Sequence, residues 1–458
     1  MPAGAKSRLL GLTESAKEQL IQKMLARRGR GPGAAAQDSA DRAGDAAGED
    51  APYGDIPDAW CRFDDVPGYV QIKVQQKAAE KFGIESPFLR VHDSIDSSTA
   101  RIGGRELVNF SSYNYLDLCG HPDVSSAAKA AVDTYGTSAS ASRVVAGERP
   151  VHRQLERALA ELYGVEDCVA FVSGHATNVT CIGHLFGARD LILFDKLIHN
   201  SIRQGAVLSG ARQMAFAHND LEELENLLSK YRRDYQRVLI ALEGIYSMDG
   251  DFPDLPRLIE LKKRYKCILM VDEAHALGVL GETGKGIHEH FGIDAREVDI
   301  WMGTLSKTLA SCGGYIAGAA SLVEYLKLTA PGFLYSVGMS PPVAAAARAA
   351  LTIMQDEPER SAQLKTRGRQ FLTLATERKL NTGTSKGLSV VPVICKSSIK
   401  TVKLSNALYQ RGINVMPIIY PAVEERAARL RFFMSCAHTE EQIRTTVDAV
   451  AEELGKLT

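Results

Sequence analysis

The feature that most constrains the fold is an alternation of strand-like and helix-like segments between residues 123 and 376. Apolar runs predict strands at Cys168–Val172, Leu191–Phe194, Met214–Ala217, Val238–Leu242, Cys267–Val271, Val298–Met302 and Tyr315–Ala317. Segments with helical periodicity, such as Val151–Tyr163 and Leu255–Tyr265, separate most of these runs. The alternation favours a mostly parallel sheet with helices on both faces, so we expect an α/β fold.

The sequence also predicts how the chain divides. Residues 1–55 are expected to hold a helix and a flexible linker, because residues 29–55 are rich in Ala, Gly, Asp and Pro. This part could be the tail of an upstream domain or an ordinary ragged N-terminus. We expect an N-terminal segment over residues 56–110 and a large domain over residues 111–345. Residues 346–458 are expected to form a smaller α+β domain, in which Ile413–Ile418 is predicted to be a single strand.

Residues suited to ligand binding follow five of the seven predicted strands at the point where each strand ends. They are Ser173, Gly174 and His175, then His199, then Ser247, then Asp272 and His275, and finally Thr304 and Lys307. Ligands of α/β sheets bind outside the carboxyl ends of the strands. A lysine and a carboxylate placed there suit pyridoxal 5'-phosphate (PLP), since the lysine forms a Schiff base and the carboxylate keeps the pyridine nitrogen protonated. A glycine turn that opens a helix suits the phosphate, although many ordinary turns look alike.

Five sequence motifs resemble those of the α-oxoamine synthases, which are PLP-dependent acyltransferases. The motifs are SGHATN, DKLIHNS, EGIYSMDGD, VDEAHALGVLGETGKG and GTLSKTLASCGG, and the resemblance runs from about Phe110 to Ala437. It implies a type I PLP-dependent transferase fold and a homodimer. It also implies a decarboxylative condensation of an amino acid with an acyl thioester, which gives an α-amino ketone. The motif sequences are most similar to those of polyketide-synthase-associated members. This similarity implies that an acyl carrier protein is the partner that presents the acyl group.

The resemblance implies roles around the cofactor, with residues 111–345 as the PLP-binding domain. Lys307 would carry the cofactor and, once freed, act as the general base, while Asp272 would pair with the pyridine nitrogen. His199 would stack on the ring. His275 and Ser247 would lie near the phenolic oxygen, and His275 would also polarise the thioester carbonyl. The residues implied near the phosphate are Ser173, Gly174, His175, Thr304 and, from the neighbouring subunit, Ser336.

On the substrate side, the resemblance implies that Arg431 holds the carboxylate of the amino acid and that Asn114 faces the substrate. Asn114 could equally be a turn former. Two positions depart from the family pattern. Asp117 replaces a glycine, which leaves the path of that turn open, and Val337 replaces a hydroxyl residue next to Ser336.

Three other functions share features with this sequence. An aminotransferase shares the fold and the Asp–Lys pair, but the DEAH and LSK context resembles the synthases better. A non-catalytic scaffold subunit would lack the lysine that this chain has at Lys307. A metal site could use His275, His288 and His290 with Asp272 and Glu273, but no metalloprotease motif is present.

Bulk properties narrow the setting in which the protein works. A formal net charge of −1 over 458 residues offers no basic excess for a nucleic acid. No apolar run approaches the roughly 18–20 residues of a membrane span. The eight cysteines have no C-x-x-C spacing, so no metal is expected, and a cytoplasmic location is predicted.

Overall fold

The computed structural model describes residues 56–81 and 83–457. The predicted helix and linker within residues 1–55 lie outside the described residues. The chain divides into two compact units, one ending at Gly83 and one beginning at Ile84. The described part of the first unit holds two short 3-10 turns and helix α1, Pro67–Lys81.

The second unit contains thirteen strands among its described residues, and its helices follow in chain order from α2. The strands are β1 Thr99–Ile102, β2 Arg105–Asn109, β3 Asp167–Phe171, β4 Leu191–Asp195, β5 Arg212–Phe216, β6 Val238–Glu243, β7 Ile268–Asp272, β8 Ile300–Thr304, β9 Gly314–Gly318, β10 Val390–Ile394, β11 Ile413–Asn414, β12 Pro417–Ile418 and β13 Arg429–Phe433. The helices are α2 Pro122–Tyr135, α3 Pro150–Tyr163, α4 Gly174–Leu185, α5 Asn200–Ser209, α6 Leu221–Tyr231, α7 Leu255–Tyr265, α8 Ile287–Phe291, α9 Ala320–Thr329, α10 Pro331–Leu334, α11 Pro341–Asp356, α12 Glu359–Glu377, α13 Ser398–Gln410 and α14 Glu440–Lys456.

The main sheet has seven strands in the order β3-β9-β8-β7-β6-β4-β5. Strands β8, β7, β6, β4 and β5 are parallel to one another, and β9 runs antiparallel between β3 and β8. The mostly parallel α/β sheet predicted from the sequence is therefore confirmed. Three strands continue past their apolar runs to Glu243, Asp272 and Thr304, because backbone pairing persists beyond the buried apolar residues.

Side chains alternate between the two faces of the main sheet, and helices cover both faces. On one face, residues such as Leu269 and Val271 pack with helices that include α3, α7 and α11. On the other face, Met270 packs in a second buried cluster with α4, α5 and α9. By the same alternation, Glu243, Asp272 and Thr304 point to the face that α4 and α5 cover. The N-termini of these two helices thus lie on the same face as the last residues of β6, β7 and β8.

Two small sheets complete the second unit. One is antiparallel, in the order β10-β13-β12, and it carries Arg431 on its central strand. The other joins the hairpin β1-β2 to β11. The sequence predicted one strand over Ile413–Ile418, and this prediction is wrong because Ile413–Asn414 pairs with β2 while Pro417–Ile418 pairs with β13.

None of the helices in residues 56–81 and 83–457 is long and apolar enough to span a membrane.

Candidate active site

Asp272 is the anchor of a chain of polar side chains at the carboxyl edge of the sheet. Its Oδ2 accepts a hydrogen bond from Asn178 Nδ2 at 2.9 Å, and its Oδ1 accepts one from the Ala274 N–H at 2.9 Å. Asn178 Nδ2 also donates to Ser201 Oγ at 2.9 Å, and that hydroxyl lies 2.7 Å from His199 Nδ1. This chain of hydrogen bonds therefore fixes the orientations of both Asp272 and His199, and Asn178 of helix α4 connects them.

Lys307 follows β8 and is partly buried beside these hydrogen-bonded side chains. Its Nζ lies 5.5 Å from the centre of the Tyr113 ring. Burial lowers the pKa of Lys307 to about 8, although Asp272 and Glu243 oppose the shift by favouring the charged form. A lysine with this pKa has a substantial neutral fraction near pH 8, which nucleophilic attack on an aldehyde requires.

The start of α4 forms a close approach of backbone to Thr304. Ser173 is the N-cap residue, and its Oγ accepts from the Ala176 N–H at 3.4 Å. A Cβ on Gly174 would lie 2.7 Å from Thr304 Oγ1, so only glycine fits without a shift. Thr304 Oγ1 donates to the Gly313 carbonyl at 3.0 Å. Helix N–H groups that remain open at such a turn suit a phosphate.

Two histidine rings lie at the same edge of the sheet. His175, the second residue of α4, and His199, the N-cap of α5, are both exposed. Their ring centres are 6.4 Å apart and nearly perpendicular. His199 therefore has an open ring face at the position where the sequence predicts stacking.

His275 is buried between aromatic residues. Its Nδ1 lies 2.7 Å from the Tyr115 hydroxyl, and its ring stacks on Phe433 at 6.3 Å. Burial, with Lys307 and Arg431 nearby, lowers the pKa of His275 well below its ordinary value. His275 is therefore neutral at physiological pH and can donate only one ring hydrogen at a time.

Arg431 reaches the site from β13. Its guanidinium donates to the Ser247 carbonyl at 2.9 Å and to the Tyr113 hydroxyl at 3.4 Å, and it lies over the Phe433 ring at 4.6 Å. Its Nε is buried and has no hydrogen-bond partner in the described part of the chain. A guanidinium with unused donors beside Lys307 suits a carboxylate.

The Asn114 side chain is fully used inside its own loop. Its amide donates to the Asp96 carbonyl and to Asp117 Oδ1, and its oxygen accepts from the Leu118 and Cys119 N–H groups. This geometry favours the turn-forming role that the sequence left open, and a substrate contact by Asn114 stays a prediction. Asp117 has a φ of 57°, a left-handed conformation that glycine adopts easily and aspartate tolerates. The turn thus keeps a glycine-like path.

Ser336 lies apart from the other candidates, in the loop between α10 and α11. Its Oγ donates to the Val337 carbonyl at 3.2 Å, and it lines a small cavity with Phe171 and Val172 next to Ser173. Tyr335 and Val337 in the same loop are 87% and 53% exposed. A contact of Ser336 with a neighbouring subunit's cofactor stays a prediction.

The three histidines that the sequence suggested as metal ligands contact different groups of residues. His288 packs against Tyr163 and Trp301, whereas His290 packs against Phe252 and Phe291. His275 instead faces Tyr115 and Lys307. Among the described residues, no group of three or more His, Cys, Asp or Glu side chains could hold a metal ion.

Sequence reasoning missed four residues of this site: Tyr113, Tyr115, Asn178 and Glu243. Asn178 closes the motif SGHATN, four residues after Gly174, which is the helical spacing that returns to the same face of α4. The two tyrosines flank Asn114 in a segment that the sequence linked to the substrate. Glu243 directly follows the apolar run of β6, where the glycines and aspartates around it also fit an ordinary turn.

The donor set at this edge fits PLP. Asp272 is a buried carboxylate for the pyridine nitrogen, and the helix that begins at Gly174 presents its N-terminus to the phosphate. Asn178 Oδ1 is buried without a hydrogen-bond partner in residues 56–81 and 83–457, as expected at the wall of a cofactor site. Lys307, with its lowered pKa, completes the set.

Comparisons with known proteins agree with this site. The profile of class I and II aminotransferases matches residues 105–450. A putative 8-amino-7-oxononanoate synthase of Trichormus variabilis is 39% identical over 77% of this chain and 90% of its own length. The 8-amino-7-oxononanoate synthase of Symbiobacterium thermophilum is 39% identical over 77% and 91%. Serine palmitoyltransferase from S. paucimobilis, solved with a bound PLP–myriocin aldimine, superposes with a TM-score of 0.81 at 26% identity, covering 84% and 98% of the two chains.

Fold and site together define a PLP-dependent enzyme of the type I transferase fold. Within that class, the chain belongs to the α-oxoamine synthase family, whose members are PLP-dependent C-acyltransferases. The resemblance read from the sequence motifs is therefore confirmed at the level of family, fold, enzyme class and cofactor.

Proposed function

We propose that this enzyme condenses an amino acid with an acyl thioester, with loss of the amino acid's carboxylate, to give an α-amino ketone. One observation carries the proposal. Arg431 of the C-terminal sheet meets Tyr113, whose ring lies 5.5 Å from Lys307 Nζ at the edge of the main sheet. A cation suited to a carboxylate and a lysine of lowered pKa thus both lie next to the Tyr113 ring, which is the placement that an α-amino acid requires.

Each residue has a role in this reaction that follows from its surroundings. Bound PLP supplies an electron sink for the carbanion at the Cα of the amino acid. Arg431 binds the amino acid's carboxylate, and Asp272 keeps a proton on the pyridine nitrogen. Lys307, once released from the cofactor, takes the Cα proton, and burial suits it to this task because it lowers its pKa to about 8.

His275 is proposed to donate a hydrogen bond to the thioester carbonyl. If the Tyr115 hydroxyl donates to Nδ1, then Nε2 carries the ring hydrogen. That hydrogen would polarise the carbonyl that the carbanion attacks, and the neutral state of His275 leaves it available over the physiological range. Ser173, Gly174, His175 and Thr304 are proposed to hold the phosphate, and His199 to stack on the ring. Ser247 is proposed to lie near the phenolic oxygen, and Asn114 to border the substrate.

We further propose that the acyl donor is bound to an acyl carrier protein of a polyketide-type pathway. Two features support this proposal. One is the helix and linker predicted for residues 1–55, and the other is the similarity of the motif sequences to those of polyketide-synthase-associated members. The measurement is turnover with the same acyl group on a carrier protein and on free CoA. A strong preference for the free CoA thioester would rule out the carrier-bound donor, while the condensation itself would stand.

A homodimer in the cytoplasm completes the proposal. The exposed apolar side chains of Tyr335 and Val337 beside Ser336 support a subunit interface at that loop. The buried, unpaired thiols of Cys168, Cys181 and Cys267 suit a reducing compartment. Sedimentation equilibrium tests the dimer, and a monomer at micromolar concentration would contradict it.

The central experiment compares the wild type with Lys307→Ala. The wild-type holoenzyme should absorb visible light, should be trapped by borohydride at Lys307 and should exchange the Cα hydrogen of its amino acid in deuterated water. Lys307→Ala should lose the trapping and the exchange. Lys285→Ala, at a partly buried loop lysine elsewhere, is the matched control. Product that is an amino acid made from a keto acid, and not an α-amino ketone, would point to an aminotransferase.

A further inference from the structure

Glu243 is a buried carboxyl group beside the cofactor site that none of the roles above uses. It ends β6 and is the register partner of Asp272, which ends the neighbouring parallel strand β7. Paired residues of adjacent parallel strands point to the same face of a sheet, so the two carboxyl groups are neighbours. Glu243 and Asp272 are each only 3% exposed.

Two neighbouring carboxyl groups that are buried away from solvent cannot both be ionised at low cost, because like charges repel and burial disfavours the charged form. Asp272 accepts hydrogen bonds at both oxygens, from Asn178 and from the Ala274 N–H. Glu243 accepts one, from the Ser247 N–H to Oε2 at 3.0 Å, and its Oε1 has no partner among the described residues. Asp272 is therefore the better-stabilised anion, and Glu243 is the member of the pair that keeps a proton.

The other groups around Glu243 agree with this assignment. The groups that face it are Asp272 on β7, Lys307 after β8, the His199 backbone before α5, and Ser247 and Tyr246 in the loop after β6. Burial and Asp272 raise the pKa of Glu243 to about 8, although Lys307 opposes the shift. At neutral pH the carboxyl group is thus mostly neutral.

Glu243 is also linked to Arg431 through a single residue, Ser247. The Ser247 N–H donates to the Glu243 carboxyl group, and the Ser247 carbonyl accepts from the Arg431 guanidinium at 2.9 Å. The Glu243 side chain therefore fixes the loop whose carbonyl orients Arg431.

We propose that Glu243 is a positioning residue that holds its proton and fixes Arg431 through the backbone N–H and carbonyl of Ser247, which leaves Asp272 as the single anion of the pair. The inference rests on the proposed role of Arg431 in binding the amino acid's carboxylate. It assigns to the glutamate of EGIYSMDGD a task distinct from those of Ser247 and Asp272.

The test uses holoenzyme of wild type, Glu243→Gln and Glu243→Ala, with Glu273→Gln as the matched control. Glu273 is also buried, and burial raises its pKa to about 8, but it lies on the opposite face of the sheet and accepts from the Ile287 N–H. Infrared difference spectra at pH 7 report the carbonyl stretch of a protonated carboxyl group. Visible absorption reports the dissociation constant of the amino acid without any acyl thioester.

The wild-type minus Glu243→Gln spectrum should show a protonated carboxyl band at pH 7 that fades as pH rises through about 8. Glu243→Ala should raise the amino-acid dissociation constant by about tenfold, because the Ser247 N–H loses its acceptor. Glu243→Gln should restore most of that affinity, since its amide oxygen accepts the same hydrogen bond. Glu273→Gln should lose a band of its own and keep the wild-type affinity.

Two results would overturn the proposal. Absence of a Glu243 carboxyl band at pH 7 would mean that Glu243 is ionised, and this readout does not depend on Glu243→Ala folding. Equal amino-acid affinities for the glutamine and alanine variants would show that the hydrogen bond to Ser247 does not act on Arg431. Failure of the proposed condensation would appear separately, as normal amino-acid binding without product from any acyl thioester.

Discussion

At the scale of single residues, two tyrosines divide the site into a substrate half and a reaction half. Tyr113 contacts Arg431 through its hydroxyl, and Tyr115 contacts His275 through its own. Both come from the loop that Asn114 holds in shape, so one segment orients the carboxylate-binding cation and the histidine. Each hydroxyl group can be removed separately, which makes the division testable.

Tyr115→Phe should lower the rate at saturating substrates by about tenfold with little change in amino-acid affinity, because His275 loses the partner that sets its tautomer. Tyr113→Phe is the matched control, and it should weaken amino-acid affinity by about threefold to tenfold through Arg431. Steady-state kinetics with both substrates separate the two effects. Identical kinetic changes in the two variants would contradict the division.

The lowered pKa of Lys307 predicts how the apoprotein captures PLP. Only the neutral amine attacks the aldehyde, so the capture rate should rise with pH and level off above about pH 8. The appearance of visible absorption after mixing at a series of pH values measures this rate. A midpoint near the ordinary lysine pKa of about 10.4 would show that Lys307 is not buried as described.

At the scale of elements, helix α4 is placed so that its first turn lies against the end of β8. Gly174 makes this approach possible, because any side chain there would collide with Thr304 Oγ1. The helix then positions Asn178 over Asp272 one turn later. One glycine therefore controls both the predicted phosphate turn and the orientation of Asp272, the carboxylate that is proposed to bind the pyridine nitrogen.

Gly174→Ala should weaken PLP binding by at least about tenfold, since the helix must move away from Thr304. Gly187→Ala, just beyond the end of the same helix, is the control, because a Cβ there meets no atom within 4 Å in the described part of the chain. Equilibrium dialysis of PLP against each apoprotein gives the dissociation constants. Equal affinities for the two variants would mean that α4 does not form the phosphate site.

At the scale of the whole molecule, His218 joins three parts of the second unit. Its Nδ1 lies 3.0 Å from Asp195 at the end of β4, and its Nε2 lies 3.0 Å from Asp251 in the loop after β6. Thr384, which precedes β10, donates to the same Asp251 carboxylate at 2.7 Å. Although burial opposes the charge, hydrogen bonds and attraction from the two aspartates raise the pKa of His218 to about 10.

A histidine whose pKa rises on folding stabilises the protein fully below its unfolded pKa of about 6.5 and loses that effect as pH rises towards 10. Denaturant unfolding should therefore show a stability advantage of wild type over His218→Gln, on the order of 3 kcal/mol at pH 6, that shrinks by pH 10. His184→Gln, at a partly buried histidine whose Nε2 lies 2.8 Å from Thr329 Oγ1, is the control. A pH-independent difference would mean that His218 is neutral in the folded state.

The sequence by itself determined the main sheet, the family, the cofactor and the polar residues at the strand ends. These features follow from local patterns, because apolar runs of strand length and the groups just after them are adjacent in the chain. The split of Ile413–Ile418 between two sheets was decided only by the tertiary structure, since its two halves pair with strands that are distant in sequence.

The tertiary structure also decided which side chains surround the motif residues. Asn178 meets Asp272 across 94 positions, Tyr115 meets His275 across 160, and Arg431 meets Ser247 across 184. No local pattern encodes such contacts, because they depend on how β6, β7 and β13 are brought together. The neutral state proposed for Glu243 is of the same kind, since it depends on burial and on the pairing of β6 with β7, which places Asp272 beside it.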